Sequence, residues 1–161
     1  MVNISLLNKY AVNYLSKYES TKNNLRRILK NKVSRMNLDK NDKILFYNSI
    51  SSIILNLEKN NLIDDKRFAN IKINNFIRQG KSEYYIKNIL LKKGVEKEII
   101  QVTLNQFNQD DPEWKFKSAL IFAKKKKLGK FGKVNNKEKD IAKMSRAGFE
   151  YSLSKKILSY D

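Results

Sequence analysis

The chain contains no cysteine and no histidine. Disulfides, thiol nucleophiles, imidazole bases and the usual zinc ligands are thereby removed, and most familiar catalytic constellations go with them. The expectation is a protein that is not an enzyme and carries no cofactor or metal. One proline and five glycines in 161 residues leave little punctuation for the many turns of an all-β protein. Leu, Ile, Lys and Asn dominate instead, which favours helices. No run approaches the roughly 18 apolar residues of a membrane span, and Met1 to Tyr10 has no basic region leading into a long apolar one. A soluble, cytoplasmic chain with no membrane partner is expected.

Acidic residues are also scarce. Sixteen face 34 lysines and arginines, for a net charge of +18 and a pI near 9.9. Such a molecule repels copies of itself, which suits a monomer, and attracts polyanions: a nucleic acid, a nucleoprotein or an acidic protein surface. Biased genome composition, rich in Asn, Lys and Ile, is the alternative source of part of that lysine. With 41% hydrophobic residues the chain is nevertheless apolar enough to bury a core.

An internal repeat organises the sequence. At an offset of about 54 residues Phe68 and Ala69 fall on Phe122 and Ala123, Leu90 on Met144, Gly94 on Gly148, Val95 on Phe149, Ile99 on Leu153 and Leu104 on Leu158. The first third fits more loosely, with Leu25 and Leu29 matching Ile86 and Leu90. Three related units follow, spanning 1–60, 61–109 and 110–161 in one continuous array. Each is expected to hold three helices, giving an all-α fold of tandem, helix-turn-helix-like units with about nine helices and no sheet.

Local signals place those helices. Asp64 is an N-cap ahead of the stripe Phe68, Ala69, Ile73, Phe76 and Ile77, which ends before Gly80. Ser82 caps the next helix, Gly94 supplies its left-handed stop, and Ile99, Ile100, Leu104 and Phe107 mark a third. Asp111-Pro112-Glu113 combines an N-cap, a proline at the first helical position and an acidic first turn. The segments 36–42 and 129–136 read as linker and mobile loop.

Basic positions carry the candidate site. Lys124, Lys125, Lys126 and Lys127 form a run late in a helix, and Lys130 follows it. From Pro112 to Asp161 there are 14 basic and 5 acidic residues, so +9 sits in under a third of the chain, a density suited to salt-dependent polyanion binding. Arg26, Arg27, Lys30 and Lys32 on the second helix of the first unit correspond to Lys87, Lys92 and Lys93, and then to Lys139, Lys143 and Arg146. That repetition suggests one basic face, although any amphipathic helix in so basic a chain shows some of it. Arg78 and Lys81 flank the Gly80 turn. Gly80-Lys81-Ser82 resembles the end of a phosphate-binding loop, but Asn75 stands where that motif needs glycine and no strand precedes it. A helix stop with a serine cap is the better reading. Asp64-Asp65 reads as a cap and dipole complement rather than a metal pair.

The string IDDKRFANIKINNFIRQGKSEYYIKNILLKKGV, Ile63 to Val95, resembles the central motif of RecX proteins: an acidic pair, an Arg-Phe-Ala helix, a glycine turn, then a helix closing in Lys-Gly-Val. YLSKYESTKNNLRRIL resembles the family's first repeat, and ALIFAKKKKLGKF with KDIAKMSRAGFEYSLSKKIL its last. The order of the three pieces is more specific than any one of them. There are departures. Val33 stands where a Lys-Gly ending is expected, Glu150 where a serine cap is usual, and many arginines are lysines, which lack the planar fork for bidentate contacts.

The resemblance implies an elongated, curved array of tri-helical repeats lying in the groove of a RecA–DNA filament. It implies a regulator in DNA repair, homologous recombination and the SOS response that damps RecA ATP hydrolysis, strand exchange and co-protease activity. The partner would be the RecA nucleoprotein filament, with possible direct contact to single- or double-stranded DNA. The alternative is a stand-alone basic DNA-binding helical module, which would need one recognition helix with Arg, Asn or Gln grouped toward its N-terminus. No helix is singled out in that way.

Overall fold

The computed structural model describes residues 3–134 and 136–158. Among them are nine α-helices, one 3-10 turn and no strand: α1 Ser5–Lys17, α2 Lys22–Arg35, α3 Lys40–Lys59, α4 Asp65–Arg78, α5 Glu83–Lys92, α6 Lys97–Asp110, α7 Trp114–Lys126, the 3-10 turn Gly129–Phe131, α8 Lys137–Arg146 and α9 Tyr151–Leu158. None of these helices is long and apolar enough to cross a membrane.

Caps set the boundaries. Thr21, Asp39, Asp64, Ser82 and Asn136 each accept, through a side-chain oxygen, the N–H three residues on, at 2.8–3.1 Å. Each satisfies one of the orphan donors of a first turn. Gly80, Gly94 and Gly148 take positive φ values of 77°, 87° and 93° where α4, α5 and α8 end, a backbone conformation that a Cβ disfavours. The linker after α2 is shorter than the sequence suggested, since Asp42 already lies in α3.

The start of α7 differs from expectation by two residues. Asp111 does not cap a helix beginning at Pro112. Its carboxylate accepts the Glu113 N–H at 3.2 Å, its carbonyl accepts the Trp114 N–H, and a tight turn precedes the helix. Within 129–136, the 3-10 turn is pinned by the buried Asp140 carboxylate, which accepts the Gly129 N–H at 2.8 Å. Asn135 lies outside the described residues.

The chain forms two compact units, Met1–Phe68 with Lys93–Glu96, and Ala69–Lys92 with Lys97–Asp161. In the first, Leu7 and Ala11 of α1, Leu25, Leu29 and Val33 of α2 and Phe46, Ile50, Ile54 and Leu57 of α3 share one core with Ile63. These are the inward positions of amphipathic helices, spaced three, four or seven apart. In the second, Ala119 and Ala123 of α7, Met144 of α8 and Ile157 and Leu158 of α9 pack with Leu128 and Phe149. Several positions matched at the 54-residue offset share their environment, although Phe68 is buried and Phe122 half-buried. Leu90 and Met144, Val95 and Phe149, and Leu104 and Leu158 are all buried.

Candidate polyanion-binding surface and groove

Most of the basic positions singled out by sequence lie on exposed helix faces or ends. Arg27, Arg78, Lys92, Lys93, Lys124, Lys125, Lys126, Lys127, Lys130 and Arg146 are exposed, and Arg26 and Lys81 are half-buried. On α2 the two guanidiniums are held by neighbours one turn back: Arg26 donates to Asn23 Oδ1 and Arg27 to Asn24 Oδ1, each at 2.8 Å. Such i,i+3 bonds pre-order a fork that still has donors to spare.

The lysine run ends α7. Lys127 closes the helix in the left-handed conformation at φ 54°, Lys125 donates to the Gln79 carbonyl at 3.1 Å, and Lys124 and Lys130 approach the Phe131 ring at 5.8 and 5.4 Å. Cations at a helix C-terminus meet the negative end of its dipole. Lys124, Lys125 and Lys130 are thus positioned side chains around one ring and one turn.

Lys81 and Arg146, far apart in sequence, line one groove of the second unit with a volume of about 770 Å³. The first turn of α5 forms one wall with Ser82, Glu83, Tyr84 and Lys87. The start of α7 supplies Trp114, Lys115 and Ser118, and the α8–α9 turn supplies Gly148, Phe149 and Glu150. Lys81 itself stacks on the Tyr85 ring at 4.7 Å. Ser118 donates to the Lys81 carbonyl at 2.5 Å and so ties α7 to the Gly80 turn. A Cβ on Gly80 would sit 2.9 Å from both Ile121 and the Phe122 backbone, so the close approach of α7 requires glycine.

Glu83 organises the α5 wall of this groove. It pairs with Lys87 at 2.8 Å along α5 and with Lys115 across to α7. Burial alone would raise its carboxyl, but the hydrogen bonds from Lys115 and Lys87 outweigh that and hold it below the usual glutamate range. Lys115 and Glu83 were not among the candidates from sequence. Only the fold brings α7 against α5, and nothing local marks the pair.

The acidic pair plays the structural part expected of it, with one addition. Asp64 caps its own helix, accepting the Arg67 N–H at 3.0 Å. The buried Asp65 accepts the Lys22 N–H at 2.9 Å, so it complements the N-terminus of α2. Burial pushes the Asp65 carboxyl up, against the pull of that N–H and of the Lys22 ammonium.

No family model matches the chain. It is similar to the Regulatory protein RecX of Myxococcus xanthus (strain DK1622), with 28% identity over 98% of this chain and 86% of the relative. It is also similar to the Regulatory protein RecX of Lactobacillus johnsonii, at 34% over 66% of this chain, and of Streptococcus thermophilus, at 32% over 68%. The chain belongs to the RecX family.

This RecX-family chain spans about two fifths of the length of the Lactobacillus and Streptococcus relatives, the matches covering 40% and 42% of them. Its fold is that of solved RecX structures. The crystal structure of RecX from Lactobacillus salivarius superposes with a TM-score of 0.73 at 23% identity, covering 97% of this chain and 94% of that one. A second crystal structure, of regulatory protein RecX, gives 0.68 at 19% identity, covering 98% and 72%. The all-helical architecture read from the sequence is therefore the RecX architecture.

Proposed function

We propose that this chain binds a RecA–DNA filament and restrains RecA, lowering ATP hydrolysis, strand exchange and co-protease activity without catalysing a reaction itself. The observation that carries the reading is likeness to a protein named as a regulator along 98% of the chain. The exposed basic side chains fit it. Arg27, Arg78, Lys92, Lys93, the four lysines from Lys124 to Lys127, Lys130 and Arg146 offer donors to DNA phosphates or to acidic faces of a protein filament. The protein acts as a cytoplasmic monomer, its +18 charge opposing self-association, and its three tri-helical repeats, 1–60, 61–109 and 110–161, engage the filament as one array.

The second reading, a DNA-binding module acting without RecA, draws on the same charge. Co-sedimentation separates the two. The protein should pellet with RecA assembled on single-stranded DNA in moderate salt, under conditions where bare DNA retains little of it. Equal retention on bare DNA, unaffected by RecA, would favour the second reading.

A further inference from the structure

The groove between α5, α7 and the α8–α9 turn has a chemistry that phosphate binding alone does not use. We propose that it is a docking site for an extended acidic peptide segment of a partner protein, with carboxylates on the rim and apolar side chains on the floor. The proposal stands apart from the filament reading, because it concerns what this groove recognises whatever the partner's activity.

Size and charge point to such a ligand. At about 770 Å³ the groove lies within the range of about 300–1,000 Å³ typical of ligand sites. Its lining carries four cations, Lys81, Lys87, Lys115 and Arg146, against two carboxylates, Glu83 and Glu150. Glu83 is 22% exposed and spans the two lysines, whereas the side chains of Lys87 and Lys115 remain 40% and 43% exposed. Each ammonium has three donors, so Glu83 fixes both in place and leaves donors facing outward. An incoming carboxylate meets a pre-positioned pair, which lowers the ordering cost of binding. Arg146, exposed at the end of α8, offers the fork that grips a carboxylate through two bonds.

The floor favours peptide over nucleic acid. Trp114 is 1% exposed and Phe149 7%, so neither presents an open ring face. Stacking a base needs such a face, and among the lining residues only Tyr84, 67% exposed, has one. The half-buried Leu153 and the exposed Tyr84 give the groove apolar surface suited to a leucine or phenylalanine side chain. The Trp114 indole N–H donates to Asn108 at 2.6 Å, which holds the ring inward.

The test is fluorescence anisotropy on the full chain, with a short labelled peptide that alternates aspartate or glutamate with leucine or phenylalanine. Its counterpart carries asparagine and glutamine instead. The acidic peptide should bind saturably and the amide counterpart at least about tenfold more weakly. Arg146→Glu should weaken binding by at least about tenfold, and Lys9→Glu, the same charge change on α1, by less than about twofold. The proposal is overturned if the amide peptide binds equally well, if Lys9→Glu costs as much as Arg146→Glu, or if the acidic peptide does not bind. It is also overturned if labelled oligothymidine shows the larger loss with Arg146→Glu, which would make the groove a nucleic-acid site. The peptide titrations contain neither RecA nor DNA, so their failure is distinguishable from failure of the filament reading.

Discussion

The Ser82 hydroxyl serves two helices at once, accepting the Tyr85 N–H at 3.1 Å to cap α5 and donating to the Ala147 carbonyl at the end of α8 at 2.6 Å. Thr21 does the same within the first unit, capping α2 through the Asn24 N–H and donating to the Lys93 carbonyl at 2.6 Å. In each joint a glycine follows the residue whose carbonyl accepts the hydroxyl. A Cβ on Gly148 would lie 2.5 Å from Ser82 Oγ, and one on Gly94 would lie 2.8 Å from Asn23 Cβ and 3.1 Å from Thr21 Oγ1. Within the second unit the N-terminus of α5 is thus fitted to the C-terminus of α8, with complementary dipole ends facing.

This joint predicts matched losses of stability. Ser82→Ala and Thr21→Ala each remove a cap and a part-buried hydrogen bond, at about 1–3 kcal/mol. Gly148→Ala should cost more than about 2 kcal/mol, since it combines a positive φ with a collision. Urea denaturation followed by circular dichroism would read these effects. A Gly148→Ala variant as stable as the parent would show that the joint is not closed in solution.

The core makes a separate prediction. Phe68 is 4% exposed, and Phe68→Ala should cost about 3–5 kcal/mol. Asp140→Ala, which strips the buried Gly129 N–H of its acceptor, should cost about 1–3 kcal/mol. Thermal melts of the two variants check both figures.

Two carboxylates give pH effects of opposite sign. Glu83 is held below its unfolded value by Lys115 and Lys87 after they outweigh burial. Its contribution is therefore complete above about pH 4.3 and is lost as pH falls through the folded value. Glu83→Gln should lower stability at pH 7 and change little at pH 3. Asp65 is raised by burial, so its contribution is present below about pH 3.9 and is lost as pH rises through its folded value. Asp65→Asn, which keeps an acceptor for the Lys22 N–H, should match or exceed the parent at pH 7. Asp65→Ala should fall below it by about 1–3 kcal/mol. Urea midpoints measured from pH 3 to 7 would show an inverted pattern if these assignments are wrong.

What was legible in the sequence was local. The caps at Asp64 and Ser82, the stops at Gly80, Gly94 and Gly148 and the apolar stripes act over three to seven residues, and the helices follow them. The start of α7 falls two residues beyond the sequence signal because the Asp111 carboxylate has a competing bond to Glu113 that composition does not reveal. The joint between Ser82 and Ala147, 65 residues apart, and the Glu83–Lys115 pair depend on packing that no local signal encodes. The same holds for Lys81 and Arg146. Each was identified as one cation among many, and only the fold puts both on one groove.

The lysine run should act on affinity rather than on stability. Changing Lys124, Lys125, Lys126 and Lys127 to alanine together should weaken binding to filament and to bare DNA and flatten the dependence on salt, because fewer counterions are released. Exposed lysines contribute little to folding, so the melt should barely move. An unchanged affinity at every salt concentration would reduce the run to a solvated helix end.

The most direct measurement is the rate of RecA ATP hydrolysis on single-stranded DNA, with RecA from the same organism, as the protein is titrated in. The rate should fall at substoichiometric to equimolar protein, and strand exchange should fall with it. A rate that stays constant at excess protein would contradict the filament reading.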